Sequence, residues 1–183
     1  MKKPELYFIY GDLCQSWINL VISEGIHMAI SITLAEYLEN EGIAYDLVVH
    51  PHTSSSLESA ESAHIPGDNL AKSVVLEDQN GYVLAVIPST HKLDLESLQQ
   101  YLGRKVDLVS EMRLNQLFHD CELGAIPPIG KAYGYVTVMD SSLMDCEDVY
   151  FEAGDHVDLV HMSGTQFKTL MEDAGHGQFS RHI

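Results

Sequence analysis

Two β-prone runs joined by a short turn constrain this chain more than any other feature. Residues 70–77 (LAKSVVLE) and 82–87 (YVLAVI) are rich in Val, Leu and Ile, and Asp78-Gln79-Asn80-Gly81 lies between them. Asn-Gly flanked by such runs predicts a tight antiparallel hairpin.

The flanking sequence is well punctuated. Ile30, Leu34, Tyr37 and Leu38 fall at helical spacing, with Thr33 and Glu36 as a capping box and Gly42 as the stop. Residues 43–49 are β-prone, Ser55 with Glu58 caps a short helix through Ala63, and residues 66–69 form a turn. Beyond the hairpin, Asp94 caps a helix carrying Leu95, Leu98 and Leu102, ended by Gly103. Ser110 caps another, with Leu114, Leu117 and Phe118 on one side. Strands are expected near 133–139, 149–153 and 157–162, with Gly154-Asp155 as a tight turn between the last two. Ser163 and Gln166 form a capping box for a closing helix whose Phe167, Leu170 and Met171 face inward. Antiparallel runs interrupted by short helices indicate an α+β fold, a mixed, largely antiparallel sheet or open barrel with short flanking helices, not a doubly wound one. Residues 1–27 show no clear period and are read as an N-terminal extension to a domain spanning 28–183.

Charge limits the partners. Acids outnumber bases 27 to 10, for a net charge of −17, and no Lys or Arg occurs between residues 4 and 71. Residues 72–131 hold six of the ten cations against eight acids, so nucleic acid is offered at most a local basic patch and DNA is not an expected partner. No apolar run approaches the ~18 residues of a membrane span, and the N-terminal stretch lacks the form of a secretory signal. The widely spaced Cys14, Cys121 and Cys146 argue for a reducing compartment, and a cytoplasmic location is expected.

Phosphate-binding glycine loops, HExxH and GxSxG are all missing. Lys72 is the most informative residue: it shares a strand face with Leu70, Val74 and Leu76, so its ammonium is aimed at a core or pocket. In Gly124-Ala125-Ile126-Pro127-Pro128-Ile129-Gly130 the prolines stiffen the backbone while the glycines permit close approach. Such a loop presents backbone N–H groups to a carbonyl or walls off large side chains; it also serves as a plain structural turn. His50 and His52 supply two candidate metal ligands where three or four must converge, so no metal is expected. They, His156 and His161 are read by default as loop or surface histidines.

These pieces, in order, resemble the YbaK/prolyl-tRNA-synthetase-associated domain family. The resemblance rests on LAKSVVLED containing Lys72, VLAVIPSTHKLDLESL, GAIPPIG, and VYFEAGDHVDLVHMSG before a closing helix. It implies a free-standing α+β editing domain that hydrolyses the ester between a mischarged amino acid and the terminal adenosine of tRNA, often tRNA-Pro, without metal or cofactor. It implies a catalytic role for Lys72 and an amino-acid pocket shaped by Gly124, Ala125, Ile126, Pro127, Pro128 and Gly130, with His156 as a further pocket residue. Some members carry Asn after the lysine, where this chain has Ser73, which leaves the preferred amino acid open. The implied partners are the acceptor end of an aminoacyl-tRNA and an aminoacyl-tRNA synthetase. A non-catalytic module on the same fold, or a hydrolase of another small aminoacyl ester, uses the same residues.

Overall fold

The computed structural model describes residues 30–183; the expected extension and the Met28 boundary lie outside them. The chain forms helix α1 (Ile32–Asn40), strand β1 (Asp46–Val49), α2 (Ser56–Ser62), β2 (Leu70–Asp78), β3 (Gly81–Pro88), β4 (His91–Leu93), α3 (Leu95–Leu102) and β5 (Asp107–Leu108). It continues through α4 (Glu111–Leu117), β6 (Val136–Asp140), β7 (Asp148–Glu152), β8 (Asp158–Ser163), α5 (Gly164–Leu170), β9 (Gly175–Gly177) and β10 (Ser180–His182). One mixed sheet has the order β1-β8-β7-β2-β3-β6-β9, with β5 also pairing β2, and β4 and β10 form a separate two-stranded ribbon. The β2–β7, β3–β6 and β6–β9 pairs are parallel and the others antiparallel. This is the expected α+β class.

The hairpin forms with Asp78 opposite Gly81. Its turn differs from the one that Asn-Gly usually makes. Gly81 takes the positive φ of +126°, whereas Asn80 keeps a negative φ and donates its N–H to Asp78 Oδ1 at 2.7 Å. An aspartate side chain that mimics a backbone turn relieves the asparagine of the left-handed conformation.

Local chemistry explains most helix ends. Ser55, Asp94 and Ser163 accept from the amides of Glu58, Ser97 and Gln166, and Ser163 with Gln166 closes the full capping box. Ser110 sits at the N-cap of α4 without a side-chain hydrogen bond. The Thr33–Glu36 box does not form. Ser31 caps α1 instead, and the Thr33 amide is satisfied by Asp120 Oδ2 at 2.9 Å, a partner 87 residues away. The strand expected near 133–139 starts later, because residues Gly130–Tyr133 turn as a 3-10 helix closed by Gly134 in the left-handed region.

The largest core cluster lies between β7–β8 and helices α1 and α5, with Leu34, Leu38, Val149, Phe151, Val160 and Phe167 buried. Burying each such side chain is worth about 1.5–3 kcal/mol. A second cluster fills the space between the β2–β3 hairpin and α3, and a third joins Val75 and Leu84 to Phe118 and Ile126. Among the described residues no helix is long and apolar enough to cross a membrane.

Candidate functional site

β2 and β7 pair only at Leu70–Tyr150 and Ala71–Phe151 and then separate. The same edge of β2 is taken up again by β5, at Leu76 and Glu77. Between these contacts, and before the Val75 carbonyl is taken by the Val109 amide at 3.1 Å, residues 72–74 run along an edge with no neighbouring strand among the described residues. Lys72 is the first residue of this open stretch. A parallel pair that diverges leaves a crevice between the strand ends, and residues at its mouth come from both strands and their following turns.

Alternation along β2 places Lys72 and Ser73 on opposite faces. Lys72 shares its face with Val74 and Leu76, which pack against α3, and with Leu70, which packs near α2. Its half-buried ammonium donates to the carbonyl of Ser89 at 2.9 Å. Burial holds that ammonium below the ordinary lysine range, and the charge of Lys92 pushes in the same direction. Ser73 shares its face with Ala71 and Val75, whose clusters contain Ile129 and Ile126 of the Gly/Pro segment. The Ser73 hydroxyl is buried and has no hydrogen-bond partner among the described residues.

The Gly/Pro segment is a buried wall, not an exposed loop. Gly124 is exposed, while Ala125, Ile126, Pro127, Pro128, Ile129 and Gly130 are all buried. The Ala125 amide is taken by the carbonyl of Glu122, whereas the amides of Gly124 and Ile126 have no acceptor among the described residues. A cleft lies at each end of the segment. One, of about 460 Å³, is lined by His52, Thr53, Asn115, Glu122, Leu123 and His156 among others. The other, of about 410 Å³, is bounded by Ile129, Gly130, Thr137 and Leu170. Lys72 lines neither, and no hydrogen bond joins it to residues 124–130.

His156 does meet the segment. Its Nε2 lies 2.7 Å from the carbonyl oxygen of Leu123. A carbonyl only accepts, so Nε2 carries a proton. The ring covers Gly124, which has φ of +93°; a Cβ there would lie 3.1 Å from His156 Cε1. His156 itself has φ of +59°, a conformation uncommon outside glycine that persists where surrounding bonds hold it. The amide of Thr53 bonds to its carbonyl, and the amide of His50 bonds to the carbonyl of Val157.

Beneath His156 lies a polar cluster that sequence reasoning missed. Glu152, at the end of β7, is 2% exposed and accepts from the Ser59 hydroxyl of α2 at 2.6 Å. His156 Nδ1 stands 3.9 Å from its Oε1. His50 is also buried and directs Nδ1 to the carbonyl of Pro51 at 2.8 Å. His50 Nε2, His156 Nδ1, Glu152 Oε2 and Asp155 Oδ2 are buried without a hydrogen-bond partner among the described residues. Burial raises the Glu152 carboxyl above the usual range, against the opposing pull of the Ser59 hydroxyl and the two imidazoles. His50 and His156 lie in loops, as one half of the default reading has it, but are buried rather than on the surface; His52 is exposed as expected, and His161 is partly buried on β8 between Asp46 and Asp148. Burial also pushes the Cys121 thiol up to about 11 and raises that of Cys146, which leaves both poor nucleophiles. Among the described residues no three His, Cys, Asp or Glu side chains are grouped to hold a metal ion.

A protein-family model of the aminoacyl-tRNA editing domain matches residues 50–170, from the buried His50 to the end of α5. The chain belongs to this family. The match spans the Lys72 strand, the Gly/Pro segment and the β7–β8 turn, the parts of the editing domain described above. Solved structures agree in fold. A candidate trans-editing enzyme for prolyl tRNA synthetase superposes with a TM-score of 0.75 at 18% identity, covering 86% of this chain and 99% of that one. The hypothetical protein APE2540 gives 0.71 at 21%, covering 81% and 99%. A structure from a study of computational epitope grafting onto scaffold proteins gives 0.74 at 17%, covering 86% and 100%. No curated protein sequence matches the chain significantly.

Proposed function

We propose that this editing domain is a trans-acting aminoacyl-tRNA deacylase that hydrolyses the ester of a mischarged tRNA of the tRNA-Pro type in the cytosol, without a metal. The observation that carries this reading is the open edge of β2, with the Lys72 ammonium on one face and the Gly/Pro wall on the other. An ester lying along that edge meets both. The structural neighbour described as acting for prolyl tRNA synthetase supports the choice of tRNA and the synthetase as a partner.

An aminoacyl ester is already activated, so orientation and charge stabilisation suffice. In this reading Lys72 supplies positive charge to the terminal nucleotide or the ester carbonyl. The unengaged amides of Gly124 and Ile126 receive the carbonyl oxygen as it gains negative charge. Water adds to the carbonyl carbon, its proton passing to the free ribose hydroxyl, which relays its own proton to the departing ester oxygen as the tetrahedral species collapses to amino acid and tRNA. His156 serves as a brace, since its Nε2 proton is committed to Leu123 and fixes the start of the wall. The side chains of Ser73, Ala125, Ile126, Pro127 and Pro128, with the backbone of Gly130, set the size of amino acid admitted.

The test is release of amino acid from tRNA-Pro charged in turn with alanine, serine, cysteine and proline. Cleavage of a mischarged form with cognate prolyl-tRNA spared supports the reading. Rates no faster than spontaneous hydrolysis for all four exclude it and favour a non-catalytic module.

A further inference from the structure

Four of the eight described Lys and Arg side chains of this acidic chain are engaged. Arg104 pairs with Asp78, Lys131 with Asp173, Arg113 bonds Tyr82 and Gln116, and Lys72 bonds the Ser89 carbonyl. Lys105 lines a surface shared with Asp78 and Asp107. Lys168 on α5 is exposed and has no ion-pair partner among the described residues. Lys92 and Arg181 differ from all of these in being directly opposite each other across the β4–β10 ribbon, both exposed and neither ion-paired among the described residues. Like charges in directly opposed positions destabilise a strand pair. No acidic residue occurs on either strand of this ribbon to offset them.

The ribbon is held firmly. Leu93 packs with the cluster that buries Phe179, the Asp94 amide bonds the Phe179 carbonyl at 2.8 Å, and the Ile183 amide bonds the Thr90 carbonyl at 3.0 Å. Alternation turns Leu93 inward and leaves Lys92 and Arg181 on the outer face. The ribbon also continues from the site. Ser89, which accepts the Lys72 ammonium, precedes Lys92 by three residues, a span of at most about 11 Å.

We infer that Lys92 and Arg181 form a grip for the phosphates of single-stranded RNA, those immediately 5′ of the terminal adenosine whose ester lies at Lys72. The inference rests on the deacylase reading for its choice of RNA. It accounts for how a chain of net charge −17 engages a polyanion: two paired cations make a small contact on an otherwise repelling surface. His91 and His182 are opposed on the other face, with ring centroids 5.6 Å apart, and lie outside the grip.

The test is fluorescence anisotropy with a labelled, uncharged RNA minihelix ending in a single-stranded ACCA, compared with the same helix blunt-ended, for the wild-type chain and the Lys92→Gln/Arg181→Gln double variant. Both side chains are exposed, so the variant melts at no lower temperature than wild type. The wild type is expected to prefer the overhang. The variant is expected to bind it roughly tenfold more weakly, and its log–log salt slope is expected to be shallower by about 1.4, the value for two phosphate contacts on a single strand. Equal affinity and slope in the two proteins, or equal binding of overhang and blunt helix, overturns the grip. Loss of the wild-type deacylase activity with its binding intact would not produce this pattern, so the two readings fail separately.

Discussion

Lys72 and Glu152 are pushed in opposite directions by one cause, since burial disfavours the charged form of each. A lysine with a depressed folded pKa weakens the fold wherever it is still charged, and the loss is recovered as pH rises toward the unfolded value of about 10.4. Lys72→Met is therefore expected to melt no lower than wild type at pH 7, with the gap between them narrowing toward pH 10 in thermal melts. For Glu152 the folded pKa is raised. Its favourable contribution is complete below the unfolded value of about 4.3 and is lost as pH rises through the folded pKa. Glu152→Gln, which keeps an acceptor for Ser59, should match or exceed wild-type stability at pH 7 and lose any advantage at pH 4. A variant melting well below wild type at pH 7 would mean that the charged carboxylate is the stabilising form. Lys72 was visible in the sequence because a cation in phase with Leu70, Val74 and Leu76 conflicts with its surroundings. Glu152 was not. It alternates in phase with Tyr150, as a solvent-facing acid would, and it is covered by sequence elsewhere: α2 through Ser59 and the turn carrying His156.

The wall at residues 124–130 depends on backbone conformation at its first residue. Gly124→Ala introduces a side chain at φ of +93° and into contact with His156. Backbone strain of this kind costs about 1–2 kcal/mol, and displacement of the His156 ring releases its bond to Leu123. The expected outcome is a modest fall in melting temperature with altered discrimination between alanine and serine esters; unchanged selectivity would detach His156 from the pocket. Elements defined by local chemistry were legible from the sequence. Ser55, Asp94 and Ser163 cap the helices assigned to them, and the hairpin strands end within a residue or so of their expected bounds. The short strands β4, β5, β9 and β10 were missed because two or three residues carry no period, and each is defined by pairing with sequence far away or out of order. Ser31 displaced the Thr33–Glu36 box for a related reason, as Asp120 reaches the first turn from 87 residues away.

At the scale of the molecule, the proposed site lies where the sheet changes from paired to open between β2 and β7, and the charge of the remaining surface opposes its proposed substrate. That charge opposes a broad electrostatic embrace of tRNA, whereas the proposed recognition at the acceptor end fits it. The face arrangement at β2 is the part of the site that the sequence conveyed least. It placed Lys72 correctly on its strand, but whether the Gly/Pro segment covers the same face or the opposite one depends on packing through Ile126 and Ile129. The central claim is that Lys72, from its own face of this edge, is indispensable for ester cleavage. Its most direct test is deacylation of the best-cleaved mischarged tRNA-Pro by wild type and by Lys72→Ala at matched, folded concentrations. The account predicts a wild-type rate well above spontaneous hydrolysis and a variant rate indistinguishable from it, with melting temperature preserved. A Lys72→Ala variant that cleaves at the wild-type rate would contradict it and move the chemistry to the Glu152–His156 side of the crevice.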